Sequence, residues 1–408
     1  MCQDLSTREG EDTGADKLIT TRNCSDPTKN QQNLLFAINV DWYFDLHWRE
    51  RIFSSLTEGF QVTVTYSQTR NATESVTENI VPMTMERSST GIFCNIRSFY
   101  QAARTLQSNN YDLIHAVTVK PNIYFGLLAR FYALPVLMTI PGLGTVFSLQ
   151  TVWNRFLQRI ILLFYRLAGT NTKSFFAFEN SQDRDRFLRS GVCGVDNSTV
   201  VAGAGIDVKK FRCSNNTCSP HKDHLDLLFA GRLLEGKGLE SLVLAVHAIN
   251  ARERKVILHV AGIVDVDSRE AIAEKTIKQW QEQGKINYLG QVEDMPSLLT
   301  RMDAVALPTT YGEGLPRILL EANACCLPVI ASDVAGCNEF VIHNENGLLV
   351  RPGNIDELVG AIQMLLDPAL RAKMGRAGRR KVEEGYAVEK VIAQYRTIYD
   401  MLTAHGKR

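Results

Sequence analysis

Short apolar runs recur along most of the chain, separated by stretches in which apolar residues return at helical spacing. NLLFAIN (33–39), QVTVTYS (61–67), YDLIHAV (111–117), LPVLMTI (134–140) and SFFAFE (174–179) are rich in β-branched or aromatic residues, and each reads as a buried strand. Helical patterns fill the gaps at 47–58, 96–108 and 121–131, and strand alternating with helix is what a parallel sheet with covering helices demands. The alternation stops in the polar, unperiodic CSNNTCSPHKDH (213–224) and restarts with LDLLFA (225–230), VILHVAG (256–262), INYLG (286–290), AVALP (304–308) and PVIAS (328–332). The pattern predicts an α/β chain of two consecutive doubly wound, Rossmann-like domains, 33–208 and 209–385, with ligands beyond the strand C-termini. Residues 1–32 hold no apolar cluster and read as a flexible extension. At the other end, 386–408 is expected to form an amphipathic helix with Val391, Ile392, Tyr395, Ile398, Tyr399 and Leu402 on one face, which caps the structure or crosses back to the first domain.

Charge and composition narrow the class. The 408 residues carry 45 Lys+Arg against 44 Asp+Glu, a net charge of +1, so there is no basic excess of the kind a nucleic-acid partner requires and none is expected. At 45% hydrophobic and 22% charged residues the chain is an ordinary globular one of enzyme size. Nine cysteines are scattered with no CxxC pair and no Cys/His spacing that closes a zinc site, a pattern suited to a reducing compartment. The longest strongly apolar helical run, Ile160 to Tyr165, falls far short of the roughly 18 residues a membrane span needs. The expected location is cytoplasmic, with any membrane contact made from the cytoplasmic face.

Two motifs carry candidate chemistry. AGRLLEGKGLESL (230–242) is a glycine turn between a strand and a helix, a place where phosphates bind. It differs from a P-loop in having Gly238 where Ser or Thr would hold Mg²⁺, which weakens an NTPase reading, while Arg232 and Lys237 can hold a diphosphate as paired cations. The bland alternative is a glycine-rich turn with solvated basic residues. In PTTYGEGLPRILLEANACCLPVIASD (308–333), Glu313 sits in a loop after a strand and Pro316 begins a helix over 316–326. Glu321 then falls about one and a half turns into that helix, so the two carboxylates stand at different depths along a cleft. The N–H groups of Gly314 and Leu315, with the positive helix end, face an anion there. Paired carboxylates also suit a glycoside hydrolase, but a neutral glycosidic leaving group needs no diphosphate clamp. Asp183-Arg184-Asp185 and Asp265-Val266-Asp267 have metal-ligand spacing but read as helix-start charges. No GxSxG elbow occurs.

GRLLEGKG, NYLGQVEDMPSLL (287–299), the Glu-x7-Glu spacing of Glu313 and Glu321, and NENGLLVRPGN (344–354) together resemble the second half of family 4 retaining glycosyltransferases. NVDWYFDLHW (39–48), DLIHAVTVKPNIYFGLLAR (112–130) and PVLMTIPGLGTVFS (135–148) resemble the branch of that family that acts on polyprenyl-diphosphate-linked glycans in bacterial surface polysaccharide synthesis. The resemblance implies a GT-B fold, two Rossmann-like domains with the active site in the cleft between them. It implies transfer of a hexose or N-acetylhexosamine from a nucleotide sugar, UDP-linked, to a lipid-linked or glycan acceptor. Arg232 and Lys237 match the family's diphosphate-binding cations, Glu313 the carboxylate at the donor sugar, and Glu321 the one on the ribose hydroxyls. Gly231, Gly314, Leu315 and Pro316 belong to the same donor site, and Gly290 to the loop against the base. No metal or other cofactor is implied. Two alternatives share the fold: a catalytically weak nucleotide-sugar-binding partner subunit, and a UDP-sugar epimerase.

The acceptor side departs from the family pattern. Asn39-Val40-Asp41-Trp42 replaces the usual Gly-Gly loop, and no His follows Thr139. His47, His115 and Lys120, near strand-end loops, are the acceptor-side candidates, against the plain alternative of packed or solvated side chains. In 152–168, Arg155, Arg159 and Arg166 fall within about 40° of one another at helical spacing, opposite Trp153, Phe156, Leu157, Ile160, Phe164 and Leu167. That apolar side either packs on the first sheet or lies on an anionic bilayer carrying a polyprenyl-linked acceptor.

Overall fold

The first sheet is built from β1 (Gln32–Val40), β2 (Phe60–Ser67), β3 (Asn79–Pro82), β4 (Leu113–Val117), β5 (Val136–Ile140), β6 (Ser174–Phe178) and β7 (Ser198–Val200). All neighbours pair in parallel, in the order β3-β2-β1-β4-β5-β6-β7. The second comprises β8 (Leu225–Ala230), β9 (Val256–Ala261), β10 (Asn287–Gly290), β11 (Ala304–Leu307), β12 (Val329–Ser332) and β13 (Gly347–Val350), also parallel, in the order β10-β9-β8-β11-β12-β13. This computed structural model describes residues 31–53, 56–68, 79–85, 91–148, 151–203, 205–213, 223–253, 255–265, 268 and 270–404. The expected N-terminal extension lies almost wholly outside them.

Side-chain alternation explains why the strands read as continuous apolar runs. On β1, Leu34, Phe36 and Ile38 join one core, with Trp48, Tyr395 and Tyr399, while Leu35 and Ala37 point the other way into a second, with Phe125, Tyr165, Phe176 and Phe187. Three short strands were not legible as such: β3 is four residues long and ends in Pro82, β7 is three residues, and β13 opens on a glycine. The helix expected at 47–58 begins earlier, as an α-turn at Asp41–Phe44 that widens into a π-type coil over Asp45–Phe53.

The terminal helix, Val388–Ala404, packs on β4, β5 and the Asp45–Phe53 coil. It buries Val388, Val391, Tyr395, Ile398, Tyr399 and Leu402 in the first domain's core, while Ile392 is only partly buried. The chain thus crosses between the domains twice, and the two crossings are hydrogen-bonded: Ile206 N–H donates to Tyr386 O at 2.9 Å and Val388 N–H to Ile206 O at 3.0 Å. The scattered cysteines revealed no pairing, yet Cys213, after the first crossing, forms a disulfide with Cys326 at the end of the Arg317–Ala324 helix. Four other described cysteines, Cys94, Cys193, Cys325 and Cys337, are free.

Candidate active site

Strand order reverses direction between β1 and β4 in one sheet and between β8 and β11 in the other. Such switch points open a crevice beyond the strand C-termini. Both predicted donor motifs leave the second one: Gly231–Gly238 follows β8 and Tyr311–Leu315 follows β11. The two loops interlock. Thr310 N–H donates to Gly236 O at 2.8 Å, and Gly238, at φ 78°, lies so close to Pro308 that a Cβ would come within 2.0 Å of its carbonyl oxygen. Only glycine satisfies both the left-handed backbone and that approach.

Interlocking brings the motifs' charges together. Lys237 Nζ lies 2.5 Å from Glu313 Oε1, with both side chains 14% exposed, and 5.6 Å above the Tyr311 ring. Arg232 is held by Asp265, Nη1 to Oδ2, at 2.9 Å. Asp265 thus anchors a cation of the donor motif, while Asp267, its neighbour in the Asp-x-Asp spacing, lies outside the described residues. Gly231 takes part in the turn through its N–H to Ala261 O at 3.0 Å, and Gly290 closes the neighbouring loop by accepting from Gly262 N–H at 2.7 Å.

The helix carrying Glu321 runs from Arg317 to Ala324, shorter than the expected 316–326, and Pro316 is its N-cap rather than its first residue. Every residue from Ile318 to Ala324 is buried. Glu321 has a protein partner one turn earlier, the Arg317 guanidinium, which was not foreseen as a site residue. Burial pushes the Glu321 carboxyl up and Arg317 opposes the shift. Arg317 reaches in addition across to the first domain, donating to Leu46 O at 2.6 Å.

The first domain meets this loop through its own strand ends. A Cβ on Gly314 would lie 1.5 Å from Pro141 O, so the backbones touch where any side chain would hold them apart. Glu179, directly after β6, accepts from Leu315 N–H at 3.1 Å, and Asn180 donates to Glu313 O at 3.2 Å. Burial pushes the Glu179 carboxyl up to about 8, with Asp183 adding to the shift and the Leu315 N–H opposing it. Sequence reasoning missed Glu179, because one carboxylate at a strand end carries no spacing signal. At the end of β4, Thr118 has a φ of 74° and ψ of 166°, unusual for a β-branched residue, and its buried hydroxyl has no hydrogen-bond partner among the described residues.

The acceptor-side candidates separate. His47 stacks on Tyr43 at 4.2 Å, and its pKa is lowered to about 3 by burial and by Arg317 and Arg232, which places a neutral imidazole near those two arginines. Lys120 sits half-buried near the start of the Val119–Tyr132 helix, at the C-terminal end of β4. His115 does not belong to the cleft and is corrected to a core residue. It is fully buried, with Nδ1 2.7 Å from the Tyr399 hydroxyl and Nε2 2.8 Å from Thr139 Oγ1. The Val152–Gly169 helix does not pack its predicted apolar side on the sheet. It turns Gln158, Ile161, Leu162, Tyr165 and Ala168 inward and leaves Trp153, Phe156, Leu163, Phe164 and Leu167 exposed. Arg155 and Arg159 are exposed among them, whereas Arg166 is engaged with Ser190 O.

Two Rossmann-like domains whose strand-end loops meet in a cleft lined by cations and carboxylates form the GT-B architecture. The family model for glycosyl transferases group 1 matches residues 218–381, and that for glycosyl transferase 4-like domains matches residues 33–171. The chain belongs to this glycosyltransferase family and is an enzyme of that class. It is 25% identical to the N,N'-diacetylbacillosaminyl-diphospho-undecaprenol alpha-1,3-N-acetylgalactosaminyltransferase of Campylobacter jejuni, over 79% of this chain and 85% of the relative. It is 23% identical to the capsular polysaccharide biosynthesis glycosyltransferase CapM of Staphylococcus aureus, over 79% and 84%. The solved structure of HepE from Anabaena in complex with UDP and glucose superposes with a TM-score of 0.71 at 18% identity, covering 91% of this chain and 99% of that one. That likeness concerns the fold.

Proposed function

We propose that this glycosyltransferase moves a hexose or N-acetylhexosamine from a UDP-sugar to a polyprenyl-diphosphate-linked saccharide, with retention at the anomeric carbon, at the cytoplasmic face of a membrane. The observation that carries the reading is the Lys237–Glu313 contact. It joins a cation suited to a diphosphate with a carboxylate suited to sugar hydroxyls, at the mouth of the helix that bears a second carboxylate, Glu321. As the bond from anomeric carbon to phosphate breaks, negative charge gathers on the departing diphosphate. Lys237, Arg232, the Gly314 N–H and, once Glu179 yields it, the Leu315 N–H receive it, and no metal ion enters the proposal. Glu321 accepts from the ribose hydroxyls once Arg317 yields it. Relatives named for diphospho-undecaprenol and capsule substrates support the acceptor class. The exposed aromatic face of Val152–Gly169 supports membrane contact.

The test is transfer of radiolabelled sugar from UDP-sugars into the lipid extract of a membrane fraction. Lys237→Ala is expected to lower turnover about 100- to 1,000-fold, the range for loss of one group stabilising a leaving anion, with an unchanged melting temperature. Near-normal turnover of the variant overturns the assignment of Lys237. UDP binding without transfer to any acceptor favours the partner-subunit alternative, and acceptor-independent isomerisation of the sugar favours the epimerase.

A further inference from the structure

Four consecutive residues after β6 tie the first domain to the second, two of them to the Tyr311–Leu315 loop and two to the Cys337–Phe340 helix. Glu179 accepts from Leu315 N–H at 3.1 Å and Asn180 donates to Glu313 O at 3.2 Å. The Ser181 N–H and hydroxyl both donate to Glu339 Oε2, at 2.6 and 3.0 Å, and Gln182 donates to Asn338 Oδ1 at 2.8 Å. Glu179 stands out among them. It sets an acid on a backbone donor that the proposed function gives to the donor's anion. A backbone N–H has one hydrogen and serves one well-aligned acceptor. Gly314 leaves no space for a second one to approach alongside, since even a Cβ there would lie 2.6 Å from Glu179 Oε2. The ribose carboxylate is occupied in the same manner, Glu321 by Arg317, which is itself anchored on Leu46 O of the first domain.

We propose that Glu179 is a positioning residue for the donor: its carboxyl holds the Leu315 N–H until a donor phosphate oxygen displaces it, so that seating the donor and releasing this interdomain contact are one event. The inference rests on the nucleotide-sugar reading. It has a charge consequence. A neutral carboxyl yields to a diphosphate without repulsion, whereas an ionised one bonds the N–H more strongly and repels the incoming anion. Burial places that ionisation at about 8. The other groups facing Glu179 change charge elsewhere: Asp183, on the Ser181–Arg189 helix, is pushed up to about 6, and Tyr395, on the terminal helix, is pushed far above its ordinary range. The Lys237–Glu313 pair stands on the donor side of the same loop. Donor affinity therefore falls as pH rises through about 8.

Calorimetric titration of the full chain with UDP between about pH 7 and pH 9 tests this, in a range where a terminal phosphate with a pKa near 6 is already ionised. In the wild type the Kd is expected to rise about tenfold across the range, following the ionised fraction of one group. Glu179→Gln is expected to bind UDP at pH 9 as tightly as the wild type does at pH 7, with a flat profile. Equal slopes in the two proteins, or weaker binding by the variant at pH 9, overturn the role of Glu179 alone. Binding by neither protein at any pH overturns the donor reading as well. The wild-type series stands without the variant, because a flat profile is sufficient to reject the proposal.

Discussion

His115 sits in the middle of β4 with both ring nitrogens engaged and Phe36, Trp48 and Tyr395 packed around it. Burial lowers its pKa to about 3 from an ordinary 6.5, so the neutral ring belongs to the folded state and the unfolded chain binds the proton more readily. Stability is then full above pH 6.5 and drains as pH falls from 6.5 toward 3. Between pH 6.5 and 4.5 the loss is expected to be about 2–3 kcal/mol, at roughly 1.4 kcal/mol per pH unit. Urea midpoints at the two pH values check it: His115→Gln starts from lower stability but is expected to lose about that much less. The shifted pKa of His47 has the same sign and remains in the variant. The two histidines look alike in sequence, each beside a strand-end loop. Which face of β4 carries His115, and that Tyr399 comes from the far end of the chain to meet it, is settled only by folding.

A single helix can be amphipathic and still present the wrong side to a sequence reader. Val152–Gly169 has the apolar stripe its spacing indicates, yet its contacts are made by a narrower strip led by Tyr165 and Ala168, which are fully buried. Trp153 and Phe156 remain 62% and 52% exposed with Arg155 and Arg159 beside them. Exposed aromatics with arginines along one flank suit the boundary of an anionic bilayer, where each basic side chain contributes about 1 kcal/mol and apolar side chains enter the acyl edge. Co-sedimentation with vesicles containing phosphatidylglycerol is expected to pull down the wild type and to fall at least about fivefold for a Trp153→Ser, Phe156→Ser double variant. Vesicles of phosphatidylcholine alone are expected to retain little of either. Equal partition of both proteins to both vesicles would remove this helix from membrane binding.

At the scale of the whole molecule the chain returns to where it began. Val388–Ala404 completes a core whose other side chains come mainly from β1, β2, β4, β5, β6 and the Asp45–Phe53 coil, so the first domain is unfinished without this helix. Tyr395 is fully buried there, and Tyr395→Ala is expected to destabilise the protein by about 3–5 kcal/mol, the range for emptying an aromatic site in a core. A denaturation midpoint within experimental error of wild type would show that the helix packs weakly. The paired crossings at Ile206 and Tyr386 keep both domain connections at one place, which leaves the cleft side held mainly by the Glu179–Gln182 and Arg317 contacts. The Cys213–Cys326 disulfide lies away from that cleft side, joining the first crossing's end to the Glu321 helix.

Sequence by itself determined the strands buried on both faces, the alternation that makes two parallel sheets, the loops that carry Arg232, Lys237 and Glu313, and the helix that carries Glu321. Each of these follows from local periodicity or from short-range spacing, both of which are written along the chain. The tertiary structure alone decided that Lys237 meets Glu313, that Arg317 and not solvent accompanies Glu321, that Glu179 occupies Leu315, and that His115 belongs to the core. Those pairings join residues remote in sequence or depend on which way a side chain faces. They exist only in the folded chain, where close packing brings each buried charge and donor within reach of its partners.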